Sequence, residues 1–77
     1  MSEIFRPLDL LNESKGKEVL ISLKNGIAIA GKLIAFDIHI NIVLDNAKIL
    51  ENNEVKRSIG ITFLRGDMIL YISPSIT

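Results

Sequence analysis

The segment that decides the fold is FDIHINIVL, residues 36–44. Its three polar residues, Asp37, His39 and Asn41, alternate with isoleucines. In an extended strand this spacing places the three polar side chains on one side, because alternate residues of a strand share a face. The alternative is a turn between two strands, in which the Asp37 carboxylate accepts hydrogen bonds from the nearby backbone. Both interpretations put a polar cluster at the end of a strand.

Most of the chain after residue 16 predicts β-structure, since apolar and polar residues alternate along it. Asn25-Gly26 predicts a hairpin, because both residues tolerate positive φ, and the polar residues 51–54 predict another turn. Arg65-Gly66-Asp67 predicts a third, tight turn before the last strand. Five strands follow from these boundaries, at about residues 17–24, 27–36, 40–50, 55–64 and 68–72.

Two glycines lie inside predicted strands, Gly31 in the second and Gly60 in the fourth. A glycine inside a strand usually marks a bend or a bulge. Bent strands can contribute to both walls of a small barrel. In the fourth strand, we expect Ile59, Ile61 and Phe63 to share one face because they alternate.

An amphipathic helix is predicted before the strands, at about residues 4–15, with a single apolar stripe that suits a helix lying on a sheet. Pro7 suits the first turn of this helix, and Gly16 is placed to end it in a left-handed conformation. The stripe consists of residues at helical spacing, Ile4, Leu8 and Leu11.

The predicted fold is mainly β, in a single domain over residues 1–77: a short N-terminal α-helix followed by a strongly bent five-stranded antiparallel sheet forming a small open barrel. A chain of 77 residues buries only roughly 60% of its surface on folding alone. Yet 48% of its residues are hydrophobic, and the last strand is too apolar for an ordinary exposed edge. We therefore predict strand pairing between copies, head to tail, which closes into a ring when the rotation permits.

Composition argues against an enzyme. His39 is the only histidine and there is no cysteine, so no metal shell or disulfide framework can be assembled from these residue types. No GxxxxGK phosphate loop is present. We predict a protein without catalytic residues, metal or cofactors.

Nine basic and nine acidic residues give a formal net charge of zero. A large basic surface that coats duplex nucleic acid is therefore not expected, and we expect any nucleic-acid binding to be local. The first residues lack the features of a signal peptide, and the apolar runs are too short to span a bilayer. We expect a cytoplasmic protein with no membrane partner.

The two polar turns, residues 37–41 and 65–67, would form a binding site for a nucleic-acid base if the fold brings them together. The flat imidazole of His39, the flat guanidinium of Arg65 and the amide of Asn41 suit an unstacked base, which needs stacking planes and a hydrogen-bonding edge. Each residue also has an ordinary explanation: an exposed loop histidine, a solvated turn charge and an amide that caps the backbone. The residue pattern leaves these alternatives open.

Over nearly its whole length, the chain also resembles the Sm-like proteins of archaea and eukaryotes. The first Sm motif is matched by LKNG at 23–26, GKL at 31–33 and FDIHINIVL at 36–44. The second is matched by IG at 59–60 and LRGDMILYISP at 64–74. Isoleucine at position 40, where methionine is common, is a departure that we expect to change packing only.

This resemblance implies a ring of seven subunits, in which the fourth strand of one copy pairs with the fifth strand of the next. The absence of a long arginine-glycine tail favours an archaeal homoheptamer, with other Sm-like paralogues or RNA-processing proteins as further partners. Members of the family bind uridine-rich single-stranded RNA at the inner rim of the pore and act in RNA processing, stability or ribonucleoprotein assembly. The alternative is a ring that serves as a protein-assembly scaffold, with RNA binding secondary.

The resemblance also implies a role for each site residue. His39 stacks on the base, Arg65 stacks from the other side, Asn41 reads the uracil edge, and Asp37 orients Asn41. Two further residues complete the RNA-binding pocket through backbone and neighbouring contacts, Gly66 and Asp67.

Overall fold

A short helix leads into five strands in the computed structural model, which describes residues 7–74. All five strands form one antiparallel sheet, in the order β4-β3-β2-β1-β5. A single 3₁₀ turn, Gly66–Met68, joins the last two strands. The elements are α1 (Pro7–Glu13), β1 (Glu18–Leu23), β2 (Ala28–Phe36), β3 (Ile42–Glu51), β4 (Glu54–Leu64) and β5 (Ile69–Pro74). The predicted fold class is confirmed.

The predicted boundaries need three corrections. The helix ends at Glu13 rather than at about residue 15, although Gly16 adopts the expected left-handed φ of 83°. The third strand begins at Ile42 rather than at about residue 40, because Ile40 has a φ of 62° and belongs to a turn. Met68 lies in the 3₁₀ turn, so the fifth strand starts one residue later than predicted, and it runs on to Pro74, two residues beyond the predicted end. The part of the predicted helix over residues 4–6 lies outside the described residues.

The core lies between the three central strands. Of the residues that the structure describes, eight apolar side chains are buried there, all from β1, β2 and β3: Val19, Ile21, Leu23, Ile29, Leu33, Ile42, Leu44 and Ala47. Apolar side chains from the two outer strands pack only partly against this cluster. The core is built from the central strands. The side chains of the two edge strands, β4 and β5, are therefore buried only in part.

Helix α1 contacts the core through Leu11. Leu8, which the apolar stripe predicted to face the sheet, is instead 36% exposed, and Leu10 is 46% exposed. The helix is only seven residues long, which gives it about two turns and room for few inward positions. The prediction of an inward stripe is therefore correct for Leu11 and wrong for Leu8.

Gly31 lets two strands approach closely. A Cβ at this position would lie 3.1 Å from the Asp45 backbone oxygen and 3.2 Å from the Ala47 Cα. The register of β2 and β3 shifts here, between Ala30 and Lys32. On β3, the neighbouring Asn46 has a positive φ of 52°. The bulge predicted at Gly31 is thus present, with the extra residue on the partner strand.

Gly60 changes which side chains of β4 face inward. Its φ is 72°, and the β3–β4 register shifts beside it. Ile59 packs against the core, whereas Ile61 and Phe63 are 62% and 78% exposed. The prediction that these three residues share one face is wrong, because the irregular backbone at Gly60 breaks the alternation on which it depended.

None of the helices within residues 7–74 is long and apolar enough to cross a membrane.

Candidate functional site

The segment between β2 and β3 is a turn closed by Asp37. The Asp37 backbone carbonyl accepts a hydrogen bond from the Ile40 N–H at 3.0 Å. The Asp37 Oδ1 accepts from the backbone N–H groups of His39 at 2.8 Å and Asn41 at 3.1 Å. The extended interpretation of this segment is therefore wrong, and the Asx-turn alternative is confirmed, because one carboxylate satisfies two backbone donors that an extended strand would direct elsewhere.

Ile40 anchors this turn at a conformational cost. Its φ of 62° is unusual for a β-branched residue, whose Cβ is crowded in the left-handed region. The side chain is half-buried and packs against the core. Nothing in the sequence pattern indicated this backbone conformation. Packing of the side chain against the core offsets the local strain and fixes the turn relative to the sheet.

Asn41 joins the two polar turns. Its Oδ1 accepts a hydrogen bond from the Gly66 N–H at 2.9 Å, across 25 positions of sequence. Its Nδ2 donates to the Asp37 Oδ2 at 3.0 Å. An N–H on one side and a carboxylate on the other allow only one orientation of the amide. The predicted orienting role of Asp37 toward Asn41 agrees with this geometry, and Asn41 also caps the backbone, as the ordinary explanation of this residue required.

Gly66 is close enough to the first turn to exclude a side chain. A Cβ built on Gly66 would overlap the backbone oxygen of His39 and would lie 3.1 Å from the Ile40 carbonyl carbon and oxygen. The φ of Gly66 is not among the positive values of the chain, so the requirement for glycine is steric. This close approach holds the 3₁₀ turn against residues 39–40.

The pKa of the Asp37 carboxyl is lowered from its ordinary value of 3.8. The main cause is the hydrogen bond from the Asn41 side chain, with smaller contributions from the backbone N–H groups of His39 and Asn41 and from the His39 charge, while partial desolvation acts in the opposite direction. All the donors favour the ionised carboxylate. Asp37 is therefore an acceptor only at neutral pH, which keeps the Asn41 NH₂ directed toward it.

The remaining predicted residues lie at the surface of the same cluster. His39 is exposed. Arg65 is also exposed, and its Nη2 lies 3.5 Å from the Asp67 Oδ2, with 83% and 64% of the two side chains accessible. Such an exposed pair contributes little stability, so the guanidinium of Arg65 and its planar face remain accessible to a ligand.

An open cavity of about 380 Å³ adjoins this cluster. Asp37, Asn41 and Arg65 form its polar side. The rest of its lining is apolar and comes from the ends of β2, β3 and β4: Ala35, Phe36, Ile42, Val43, Phe63 and Leu64. Sequence reasoning missed Phe63 because it assigned that side chain to the face of Ile59; Gly60 was the signal that this alternation is interrupted. Within residues 7–74, no group of three or more His, Cys, Asp or Glu side chains is placed to hold a metal ion.

Comparison with known proteins agrees with this geometry. The family model of the LSM domain matches residues 9–74. An Sm-like protein of Thermococcus sibiricus is 52% identical over 69 residues, which cover 90% of this chain and 91% of the relative.

Two solved structures share the fold. The Pyrococcus abyssi Sm protein, solved in complex with a uridine heptamer, is 44% identical with a TM-score of 0.89, covering 92% of this chain and all of the other. A heptameric archaeal Sm protein is 35% identical with a TM-score of 0.83, covering 88% and 98%. The motifs, the sheet topology and the family match together place the chain in one family: it belongs to the LSM domain family and is an Sm-like protein of the archaeal type.

Proposed function

We propose that this protein assembles into a homoheptameric ring that binds uridine-rich single-stranded RNA at its inner rim, and that it acts in RNA processing, stability or ribonucleoprotein assembly. It acts in the cytoplasm as a binding protein rather than as an enzyme. The observation that carries the proposal is the double restraint on the Asn41 amide, between the Gly66 N–H and the Asp37 carboxylate. The similarity to a protein solved with a uridine heptamer supports the ligand.

The restrained amide explains a preference for uracil. After its two internal hydrogen bonds, Asn41 retains one N–H and one oxygen lone pair. Uracil presents a carbonyl acceptor beside an N–H donor and matches this pair. Cytosine presents an amino donor beside a ring-nitrogen acceptor, so donor meets donor and acceptor meets acceptor. Each buried group left unsatisfied costs about 1–3 kcal/mol, which is enough to discriminate between the two bases.

The remaining site residues stack on the base and neutralise the phosphate charge of the RNA. We assign the His39 imidazole and the Arg65 guanidinium to opposite faces of the base, because both are flat, exposed and close to the restrained amide. Gly66 supplies its backbone N–H, and Asp67 holds the Arg65 guanidinium from one side. In a ring, one Arg65 per subunit forms a circle of cations, so a chain with no net charge can still hold a polyanion locally.

The ring is supported by the two edges of the sheet. On β4, Ile61 and Phe63 are 62% and 78% exposed, and on β5, Leu70 and Tyr71 are 60% and 59% exposed. Each edge also carries unpaired strand backbone. Adding β5 of one copy to β4 of the next covers both edges at once and leaves no free edge when the ring closes. The similarity to a heptameric archaeal Sm protein supports seven subunits.

RNA binding is tested by measuring affinity for a short oligo(U) at several salt concentrations. Arg65→Ala should weaken binding by roughly 1–3 kcal/mol per occupied pocket, the usual scale for base stacking. Arg65→Lys should restore only part of this loss, since an ammonium group has no plane to stack. Arg57→Ala is the control, because it removes the same charge from an exposed position of β4. Full affinity in Arg65→Lys would contradict the stacking role of Arg65. An intact wild-type ring that does not bind oligo(U) would favour the alternative function as a protein-assembly scaffold.

Ring assembly is tested by light scattering. Wild type should give a mass of about seven times the 8.6 kDa chain. Leu70→Lys or Ile72→Lys should break the ring, because the charge would be buried at the subunit contact or in the core. Ile34→Lys, at an exposed position of the central strand β2 rather than on an edge strand, should leave the ring intact. A monodisperse wild-type monomer at micromolar concentration would contradict the assembly.

A further inference from the structure

A row of apolar side chains runs across the end of the sheet and stops at its edge. Ala35 on β2 is opposite Val43 on β3, and Val43 is opposite Phe63 on β4. Val43 points away from the core, because its neighbours Ile42 and Leu44 are buried on the inner side. These three residues line the cavity beside Arg65. Phe63, the last member of the row, is the most exposed large apolar side chain of the described residues.

The opposite edge of the same sheet presents an aromatic ring on the corresponding face. Ile72 of β5 packs against the core, so the adjacent Tyr71 points outward. Tyr71 is 59% exposed. When a strand is added to a sheet edge, side chains on the same face become neighbours. Every neighbouring strand pair of this sheet is antiparallel. Antiparallel addition of β5 of one copy to β4 of the next would place the start of β5 opposite the end of β4, and the pairing allows a register that sets Tyr71 of one copy beside Phe63 of the next.

Building on the proposed ring, we propose that Tyr71 of the neighbouring copy fills the cavity beside Arg65 and completes the base-binding site. The cavity has an apolar floor for the phenol ring and a polar side of Asp37, Asn41 and Arg65. A phenylalanine and a tyrosine on facing strands form a favourable aromatic pair. Tyr71 is then a positioning residue: its phenol ring contacts one face of the Arg65 guanidinium, and the RNA base stacks on the other face.

This arrangement links assembly to RNA binding. In the isolated chain, Arg65 has an open cavity on one side and, among residues 7–74, one exposed carboxylate partner, Asp67. In the ring, the phenol ring of the neighbour closes that side and restricts the guanidinium to the plane required for stacking. A subunit that has no neighbour at its β4 edge therefore has a complete set of hydrogen-bonding groups and an incomplete stacking surface.

The composition supplies a direct probe, because Tyr71 is the only tyrosine and there is no tryptophan. Quenching of tyrosine fluorescence by acrylamide, measured on the intact wild-type ring, should show Tyr71 protected at least about fivefold relative to the unfolded chain. Phe63→Ala should expose Tyr71 while the ring mass is unchanged. Ile61→Ala, a similarly exposed position of β4, should leave Tyr71 protected. Equal quenching in both variants, or free quenching in the wild-type ring, would overturn the proposal.

Binding of oligo(U) tests the contribution to the site. Tyr71→Ala should lower the affinity of an intact ring by about tenfold, and Tyr71→Phe should restore it. Ile34→Ala, at an exposed position of the central strand β2 rather than on an edge strand, should leave the affinity unchanged. If Tyr71→Ala prevents assembly, the quenching experiment on wild type still decides the matter. If the Tyr71→Ala ring binds oligo(U) as well as the wild-type ring does, this inference is overturned and the proposed function stands. If the wild-type chain forms no ring, the proposed function itself is overturned.

Discussion

Two turns of this sheet contain non-glycine residues with positive φ, but they serve different purposes. The turn between β3 and β4 places Asn52 and Asn53 at φ values of 53° and 66°. The turn between β2 and β3 places Ile40 at 62°. The first turn has asparagines, which tolerate the left-handed region, at both of its positions with positive φ. The second has a β-branched residue there, which the local backbone disfavours.

The difference lies in what holds each turn. Within residues 7–74, neither Asn52 nor Asn53 makes a side-chain hydrogen bond, so that turn depends on local backbone preference. The other turn is held by the Asp37 carboxylate, by the packing of Ile40 against the core and by the Asn41 contact with Gly66. A turn that only reverses the chain can rely on propensity, whereas a turn that presents a site is restrained from several directions and can carry a strained residue.

The largest effect is expected from Gly66→Ala, which pushes the restrained turn away from its support. The new Cβ would overlap the His39 backbone oxygen, and we expect a loss of roughly 2–3 kcal/mol in the free energy of unfolding, together with loss of oligo(U) binding. Gly26→Ala is the control: it introduces strain at a φ of 87° with nothing within 4 Å, costs about 1–2 kcal/mol, and should leave binding intact. Equal binding by both variants would contradict the coupling of the two turns.

Asp37→Ala removes the carboxylate that closes the restrained turn. Preference for oligo(U) over oligo(C) should fall more than total affinity, because the Asn41 amide becomes free to flip. Because the folded-state pKa of Asp37 lies below 3.8, its stabilising contribution is present above the unfolded value and is lost as the pH falls through the folded value. The stability difference between wild type and Asp37→Ala should thus be constant near pH 7 and shrink below about pH 4.

Competition binding and urea unfolding across pH 2–7, at one protomer concentration, measure both quantities. Asp45→Ala serves as the control, because the Asp45 carboxylate also accepts a local backbone N–H, that of Asn46 at 2.8 Å, at a distance from the site. It should leave the U-to-C ratio unchanged. A ratio that is equally unchanged in Asp37→Ala would mean that Asp37 is a turn residue only.

Ile40→Met tests whether the strain in the restrained turn is real. Methionine keeps an apolar side chain against the core and removes the branch at Cβ, so we expect stabilisation by about 0.5–1 kcal/mol, at the low end of the scale of local backbone strain. Urea unfolding midpoints at equal protomer concentration check this. The control is Ile49→Met, at a half-buried position within β3, which should stabilise the protein less than Ile40→Met. If Ile40→Met instead destabilises the protein, the packing of the isoleucine side chain matters more than the strain in its backbone.

The smallest effect on RNA binding is expected in the turn that depends on propensity alone. Asn53→Ala should cost about 1 kcal/mol, because alanine tolerates the left-handed region less well than asparagine does. Asn53→Gly should fall within about 0.5 kcal/mol of wild type, since lower strain and higher unfolded-state entropy oppose each other. Neither variant should alter oligo(U) affinity, and a change in binding would show that this turn also serves the site.

Much of the fold could be predicted from local signals. Alternation along the chain indicated five strands, and Asn25-Gly26 and residues 51–54 indicated the turns that the structure contains. The errors occurred where a backbone irregularity resets the alternation: Ile61 and Phe63 face outward because of Gly60, and β3 starts late because Ile40 is left-handed. Periodicity carries no information about such a reset, since a bulge changes the face of every following residue.

The local arrangement of the candidate site was expected only in part. The proximity of residues 37–41 to residues 65–67 was expected, and the Asn41–Gly66 hydrogen bond joins them. The extended strand with three polar side chains on one face was wrong, because Asp37 satisfies the backbone locally. The apolar cavity beside Arg65 was missed, as it requires Ala35, Val43 and Phe63 to align across three strands.

The sequence by itself determined the number and kind of the main elements, the turns at Asn25-Gly26 and at residues 51–54, and the membership in the LSM domain family. Each of these depends on residue types at short range or in a fixed order. Only the tertiary structure decided that the Asn41 amide has a single orientation, that Ile40 is held in a strained conformation and that Phe63 and Tyr71 lie exposed on opposite edges. These features arise when distant segments are packed together, and packing can impose a conformation that no local preference predicts.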